Sequence, residues 1–258
     1  MKKYITLLII ILFHAFTFAQ PSAEAKNSDS NPKPTSVIFS PPKFRIGAQV
    51  GYGHRIAKIP FEAHPTMKNH LTKLKRNVSF GADMSYYFKN NMGIGIKYNG
   101  ISASAFTPDM PYLLSDGSFF YDKLSNKIGM HLIGLLVGAR FFLEHKNCIY
   151  ANAGVGYVRY RDDAAAFLRY GEEYSSKFDF TYENIKMTGN AALFYAEVGY
   201  DFLFTKNFSI GWLLSASLGT LNTIYYTLGN VTVKEQLDKY ERENLSHIDI
   251  SVVLRFYK

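Results

Sequence analysis

The sequence predicts an all-β fold: an eight-stranded, antiparallel, up-and-down transmembrane β-barrel with short periplasmic turns and long extracellular loops. Three observations predict it. Aromatic residues make up 16% of the 258 positions and glycine supplies 19 of them, a composition that suits short-turned strands better than helices. Alternation of period two occurs eight times, at about 44–56, 77–88, 92–106, 127–143, 148–167, 188–204, 208–227 and 245–258. The connections alternate too: 89–91, 144–147 and 205–207 are tight and polar, whereas 57–76, 107–126, 168–187 and 228–244 are long. In a meander this places every tight turn at one end and every long loop at the other, the asymmetry of outer-membrane barrels.

The first segment, "MKKYITLLIIILFHAFTFAQ", has basic Lys2 and Lys3, an apolar stretch from Tyr4 to Phe18, and a small residue, Ala19, before Gln20. It reads as a signal peptide, residues 1–19, cleaved after Ala19. A membrane anchor is the competing reading, but the stretch falls short of the roughly 20 apolar residues a spanning helix needs, and His14 interrupts it. Residues 20–43, rich in Pro, Ser, Asn and Lys, read as a disordered periplasmic lead-in, which leaves 44–258 for the barrel. No later run is apolar enough for a spanning helix, and with Cys148 as the single cysteine no intrachain disulfide can form. Without Lys2 and Lys3 the chain carries 27 basic against 21 acidic residues, a net +6 that suits contact with anionic lipid. No nucleic-acid partner is expected.

Alternation alone does not distinguish a membrane barrel from a soluble lipocalin-like one. The polar set does. In the second strand Val78, Phe80, Ala82, Met84, Tyr86 and Phe88 share one face, opposite Ser79, Gly81, Asp83, Ser85 and Tyr87. In the seventh, Phe208, Ile210, Trp212 and Leu214 oppose Ser209, Gly211, Leu213 and Ser215. Faces this small and this rich in Gly and Ser suit a narrow interior rather than a wall facing water. The charges that recur on them, Arg45, Gln49 beside it, Asp83, Lys97, Glu197, Asp201, Asp249 and Arg255, are assigned to a polar lumen network, because each charge would cost a few kcal/mol against lipid at mid-depth. The fourth strand, "KIGMHLIGLLVGARFFL", is apolar on both faces with Arg140 out of phase with His131, which calls for a bulge or a partly apolar lumen. In the last strand Ile248, Ile250, Val252, Leu254 and Phe256 form a lipid-facing stripe, and pairing with "FRIGAQVGYG" (44–53) would close the sheet. Phe44, Phe88, Tyr150, Phe202, Phe208, Trp212 and Phe256 are expected in an interfacial girdle at the turn end.

Three stretches, "YANAGVGY" (150–157), "AEVGYDFLFTKNFSIG" (196–211) and "ENLSHIDISVVLRFYK" (243–258), resemble the small outer-membrane β-barrel proteins of Bacteroidota, barrels of the OmpA/OmpX-like eight-stranded kind, over roughly 44–258. The resemblance implies periplasmic termini in a Gram-negative outer membrane. It also implies that Val252, Leu254, Phe256 and Tyr257 form a C-terminal signal for the barrel-insertion machinery, with Lys258 where a terminal Phe would be usual. It says little about activity.

No catalytic, metal or cofactor-binding residue is expected. "GIG" (93–95) and "GVG" (154–156) do not lead into helices as phosphate loops do, and His64 and His70 have no carboxylate or thiol at ligand spacing. A lipid A-modifying enzyme would need Ser and His on one outer face, but no His-x-Ser occurs and Ser246-His247 point to opposite faces. A porin is disfavoured because eight strands enclose only side chains. The expected function is a non-enzymatic structural or surface-binding component, with an accessory subunit of a secretion or transport machine as a further alternative. Strands three to seven exceed the 9–11 residues a membrane needs, so they should project as a wall. The aromatic loop residues Tyr170, Tyr174, Phe178, Phe180 and Tyr182 are the candidates for recognising a protein or glycan, and the basic first loop for lipopolysaccharide.

Overall fold

In the computed structural model the described residues are 41–57, 64–88, 91–113, 119–143, 147–168, 181–238 and 242–258. The expected signal peptide and nearly all of the expected lead-in lie outside them. Eight long strands form the barrel: β1 (Phe44–Arg55), β2 (Arg76–Tyr87), β3 (Met92–Leu113), β4 (Phe119–Leu143), β5 (Asn147–Leu168), β6 (Thr181–Leu203), β7 (Phe208–Leu218) and, after short pieces β8 (Thr220–Leu221), β9 (Thr223–Leu228), β10 (Val231–Gln236) and β11 (Glu243–Asn244), the closing β12 (His247–Tyr257). Each long strand pairs antiparallel with the next one in the chain, and β12 sits between β7 and β1. The ring is closed from Arg45↔Tyr257 to Arg55↔His247, so the last strand is not an edge. At the turn end this seam finishes in two backbone hydrogen bonds between Phe44 and Lys258, 2.7 and 2.9 Å long.

Outward side chains form an apolar belt. On β4 Ile133, Leu135 and Val137 are 60–67% exposed, and Val50, Ile94, Val155, Phe194, Ile250 and Leu254 continue the belt around the ring. Large apolar side chains this exposed around a whole barrel are stable against lipid, not water. At the loop end the belt stops at a polar row: His131, Arg159 and Asn190 are register partners, all facing out, with Lys127 and Arg161 above them. The fourth strand runs in unbroken register with the fifth and needs no bulge; Arg140 faces in, His131 faces out, and Met130, Leu132 and Leu136 give the lumen an apolar storey.

Four expectations are corrected. The first long loop, 57–76, contains a helix, α1 (Pro65–Lys75), begun by the His64 side chain accepting from Thr66 N–H with Pro65 at its first turn. The seventh strand stops at Leu218 instead of continuing to 227. Beyond it the chain leaves β12, and β9 resumes pairing on β6 at Ile185–Thr188 and turns back as β10. The second and third long loops shrink because β3 and β4 stay paired up to Leu113↔Phe119 and β5 and β6 up to Leu168↔Thr181. The register of β3 and β4 shifts between Thr107 and Met110, around Pro108, which has no N–H to donate. Finally, Tyr150 is fully buried in the lumen and does not belong to the girdle.

Projection is therefore one-sided. Strands β3 to β6 have 22, 25, 22 and 23 residues, against 12 for β1 and β2 and 11 for β7 and β12. The wall runs from the upper part of β3, along which α1 packs, to the β9–β10 hairpin, whose β10 is exposed at all six positions.

Candidate functional site: a filled lumen and a lidded chamber above it

Side chains that alternate inward fill the lumen in storeys. Nearest the turn end, Arg255 reaches Asp201 at 2.6 Å and Asp83 at 3.5 Å, while Arg45 reaches the other oxygen of Asp83 at 2.9 Å. Both guanidinium groups lie over the Tyr150 ring, at 4.8 Å for Arg45 and 4.1 Å for Arg255. Above them Lys97 pairs with Glu197, which also accepts from Asn152 at 2.7 Å, and Gln49 donates to Asn99 at 3.4 Å. Asp249 lies opposite, accepting from Ser215 at 3.4 Å and pairing with His247 at 3.1 Å. The structure thus brings six of the eight expected lumen residues into ion pairs, Asp249 against the His247 ring and Ser215, and Gln49 into a hydrogen bond, all buried. Pairing offsets the desolvation that would otherwise expel such groups, and loss of one partner would leave a buried charge uncompensated.

Of the expected insertion-signal residues, Val252 and Leu254 are exposed on the outer wall and Phe256 packs edge-on against Phe208. Tyr257 faces the other way. It is fully buried and donates its hydroxyl to Asp201, so it belongs to the lumen network. Tyr170, Tyr174, Phe178 and Phe180 lie outside the described residues, and Tyr182 stands on β6 as the register partner of Phe167.

Sequence spacing does not reveal one cluster that joins two strands. Ser217 of β7 lies 3.2 Å from Nε2 of His247, with Asp249 at 3.1 Å from the same nitrogen and Nδ1 3.0 Å from the Leu245 carbonyl. A nucleophile triad needs the carboxylate on the nitrogen opposite the serine, and access for a substrate. Here both partners share one nitrogen and His247 is buried, which describes a structural knot. On the outer wall the His131 ring is engaged by the Tyr98 hydroxyl at 2.8 Å.

Above the polar storeys an apolar layer that includes Leu132, Leu193, Leu221 and Leu245 seals the barrel. Over that layer lies a chamber of about 520 Å³. Its roof is the inner face of α1, with Met67, His70, Leu71 and Leu74; its walls are Leu124, Asn126 and Ile128 of β4, Tyr160, Asp162 and Ala164 of β5, Met187 of β6 and Ile224 of β9. Arg55 and Glu243 form an ion pair at its side, and Arg55 also donates to the Asn244 carbonyl at 3.1 Å. His70 fastens the roof: Nδ1 lies 2.9 Å from the Thr107 hydroxyl and Nε2 2.9 Å from Asn126 Oδ1, while the Asn126 amide donates to Asp162 at 3.2 and 3.4 Å. Burial pushes the Asp162 carboxyl up to about 6 and lowers the His70 imidazole below its ordinary range. The signal for α1 is present in the sequence, since Met67, His70, Leu71 and Leu74 have the i, i+3, i+4, i+7 spacing of one helical face. Among the described residues no group of three or more His, Cys, Asp or Glu could hold a metal ion.

The fold and the two compartments define a closed β-barrel of the small outer-membrane kind. No protein-family model and no curated protein sequence matches the chain. Solved structures similar in fold include the outer membrane protease OmpT of Escherichia coli (TM-score 0.48, 8% identity, 87% of this chain and 99% of that one). A major outer membrane protein of Thermus thermophilus (0.47, 9%, 84% and 98%) and Neisserial surface protein A (0.45, 11%, 83% and 97%) are also similar. At such identities the likeness is one of fold and assigns no activity.

Proposed function

We propose that this chain is a non-enzymatic outer-membrane barrel of a Gram-negative bacterium, related to the Bacteroidota barrels, that acts as a structural or surface-binding component through its projecting wall. The turn end faces the periplasm and the wall faces outward. The observation that carries the reading is the one-sided projection: four strands of 22–25 residues beside four of 11–12, ending in β10, one flank of which has no strand partner among the described residues. Such an edge offers backbone donors and acceptors for strand addition by a protein partner. The outward Lys127, Arg159 and Arg161 stand where the phosphates of outer-membrane lipid and lipopolysaccharide would lie, which supports the same location. A filled lumen argues against bulk solute passage.

A photo-crosslinking residue at Val233, 56% exposed on β10, tests the reading in intact cells. The expected result is an adduct of one defined mass, lost when residues 223–236 are replaced by a two-residue turn while heat-modifiable migration persists. No adduct during growth overturns the assignment to β10. In parallel, mass spectra of lipid A that change with the protein would favour a lipid-modifying enzyme instead.

A further inference from the structure

The chamber under α1 is independent of the wall edge, and its chemistry points to a small-molecule ligand. We propose that it is a binding site for an amphipathic amine, an apolar body carrying a cationic or N–H-donating head that pairs with Asp162.

Size and lining come first. About 520 Å³ lies within the range of small-molecule sites, and ten of the sixteen lining residues are apolar or aromatic, an environment suited to an apolar body with a few convergent polar groups. The choice of head follows from which polar groups are already satisfied. Arg55 is neutralised by Glu243 and lies over the Tyr160 ring. Both nitrogens of His70 are engaged. The hydrogen bonds run in one direction: the Thr107 hydroxyl donates to His70 Nδ1, His70 Nε2–H donates to Asn126 Oδ1, and the Asn126 amide donates to Asp162.

That relay ends at the Asp162 carboxylate, which is 6% exposed and has no Lys, Arg or His among the described residues within ion-pair distance. Its remaining lone pairs face a chamber wall with no donor assigned to them. A buried carboxylate hydrogen-bonded only by a neutral amide, with Arg55 beyond ion-pair distance and the carboxylates of Glu243 and Asp163 also near, is poorly stabilised as an anion, in line with its raised pKa of about 6, and a cationic head would supply a direct partner. An anionic head would instead meet two carboxylates, Asp162 and Glu243, with Arg55 already committed to Glu243 and only Lys75, half-buried at the end of α1, to oppose them.

The roof gives such a ligand a route. α1 is held by the two His70 bonds, by Leu74 and Leu71 against the apolar cluster and by Lys73 on the Phe106 carbonyl, and opening must break this short set of contacts. A ligand bridging Asp162 and the underside of α1 would fasten the lid further.

The test uses three probes with one skeleton: 2-(1-naphthyl)ethylamine, 2-(1-naphthyl)ethanol and 1-naphthaleneacetate. Each is titrated by calorimetry into the barrel in lipid nanodiscs, with protein-free nanodiscs subtracted. The amine should bind at least about tenfold more tightly than the carboxylate, as expected for one charge-assisted hydrogen bond. Asp162→Asn should lower amine affinity by at least about tenfold. Ala164→Trp, which fills the chamber, should remove binding of all three. Folding of both variants is checked by heat-modifiable migration; if Asp162→Asn does not fold, the amine-to-carboxylate ratio on the native protein decides alone. Preference for the carboxylate, equal affinity in Asp162→Asn, or no binding to the native barrel overturns the proposal.

Discussion

Asp162 shows how one side chain can oppose stability and serve a site. In the unfolded chain its carboxyl titrates near the ordinary value of 3.8, and in the folded barrel at about 6. Between these values the folded state binds more protons than the unfolded one, so stability falls as pH rises through that window and the loss is complete above about pH 6. Two units set a ceiling of about 3 kcal/mol. His70 acts in the opposite sense. Its lowered pKa contributes stability at neutral pH that is lost as pH falls through the ordinary histidine range. Asp162→Asn keeps the shape and removes the first effect alone. Urea unfolding in lipid vesicles should therefore find this variant about 1–3 kcal/mol more stable than the native protein at pH 7, with the difference fading toward about pH 4. A variant less stable at pH 7 would mean that the charged carboxylate is well compensated after all. None of this is legible in the sequence, where Asp162 is one of several acids in a long strand. Arg45, Asp83, Lys97, Glu197, Asp201, Asp249 and Arg255 are legible, because a charge in phase with Gly and Ser on a strand has only the interior available to it.

Among elements, legibility follows periodicity. Strands β1, β2 and β12 begin and end within two residues of expectation, since both of their faces carry a clear apolar or polar identity. The upper thirds of β3, β4 and β6 read as loops because their alternation fades above the membrane, where neither face must be apolar. Pairing between neighbours extends them. The helix α1 escapes the alternation pattern for another reason: flanked by lysines and short, it has little intrinsic stability and is fixed by tertiary contacts of His70 and Leu74. This dependence is measurable. Leu74→Ala should weaken the docking of α1 by about 2–4 kcal/mol, as large-to-small changes at buried sites do. Trypsin cleavage at Lys68, Lys73, Lys75 and Arg76 should then quicken by roughly one to three orders of magnitude, while heat-modifiable migration of the barrel is unchanged. Equal cleavage of native and variant proteins would show that the roof is held from elsewhere.

At the scale of the whole molecule, closure separates what the chain order does from what the ring does. The β1–β12 seam is paired at eleven positions and is closely packed: a Cβ on Gly51 would collide with the Ile250 carbonyl across it. Phe44 and Lys258 already exchange backbone hydrogen bonds at the turn end. A circular permutant of residues 41–258, with Lys258 joined to Pro41 through a flexible Gly-Ser linker and the chain opened between Thr205 and Lys206, keeps every strand pair and every lumen contact, including those of Arg140 with the Pro42 carbonyl and of Tyr87 N–H with the Lys43 carbonyl. In detergent it should refold to the heat-modifiable form with stability within about 1–2 kcal/mol of the unpermuted barrel, because no buried group changes partner. In cells the outcome separates two roles of β12. If Val252, Leu254 and Phe256 act as a terminal insertion signal, the permutant, with β12 moved to the interior of the chain, should fold in detergent yet fail to reach the outer membrane. If it inserts as well as the original, those residues serve only as the lipid-facing stripe of a closed wall, and the signal lies in the barrel as a whole.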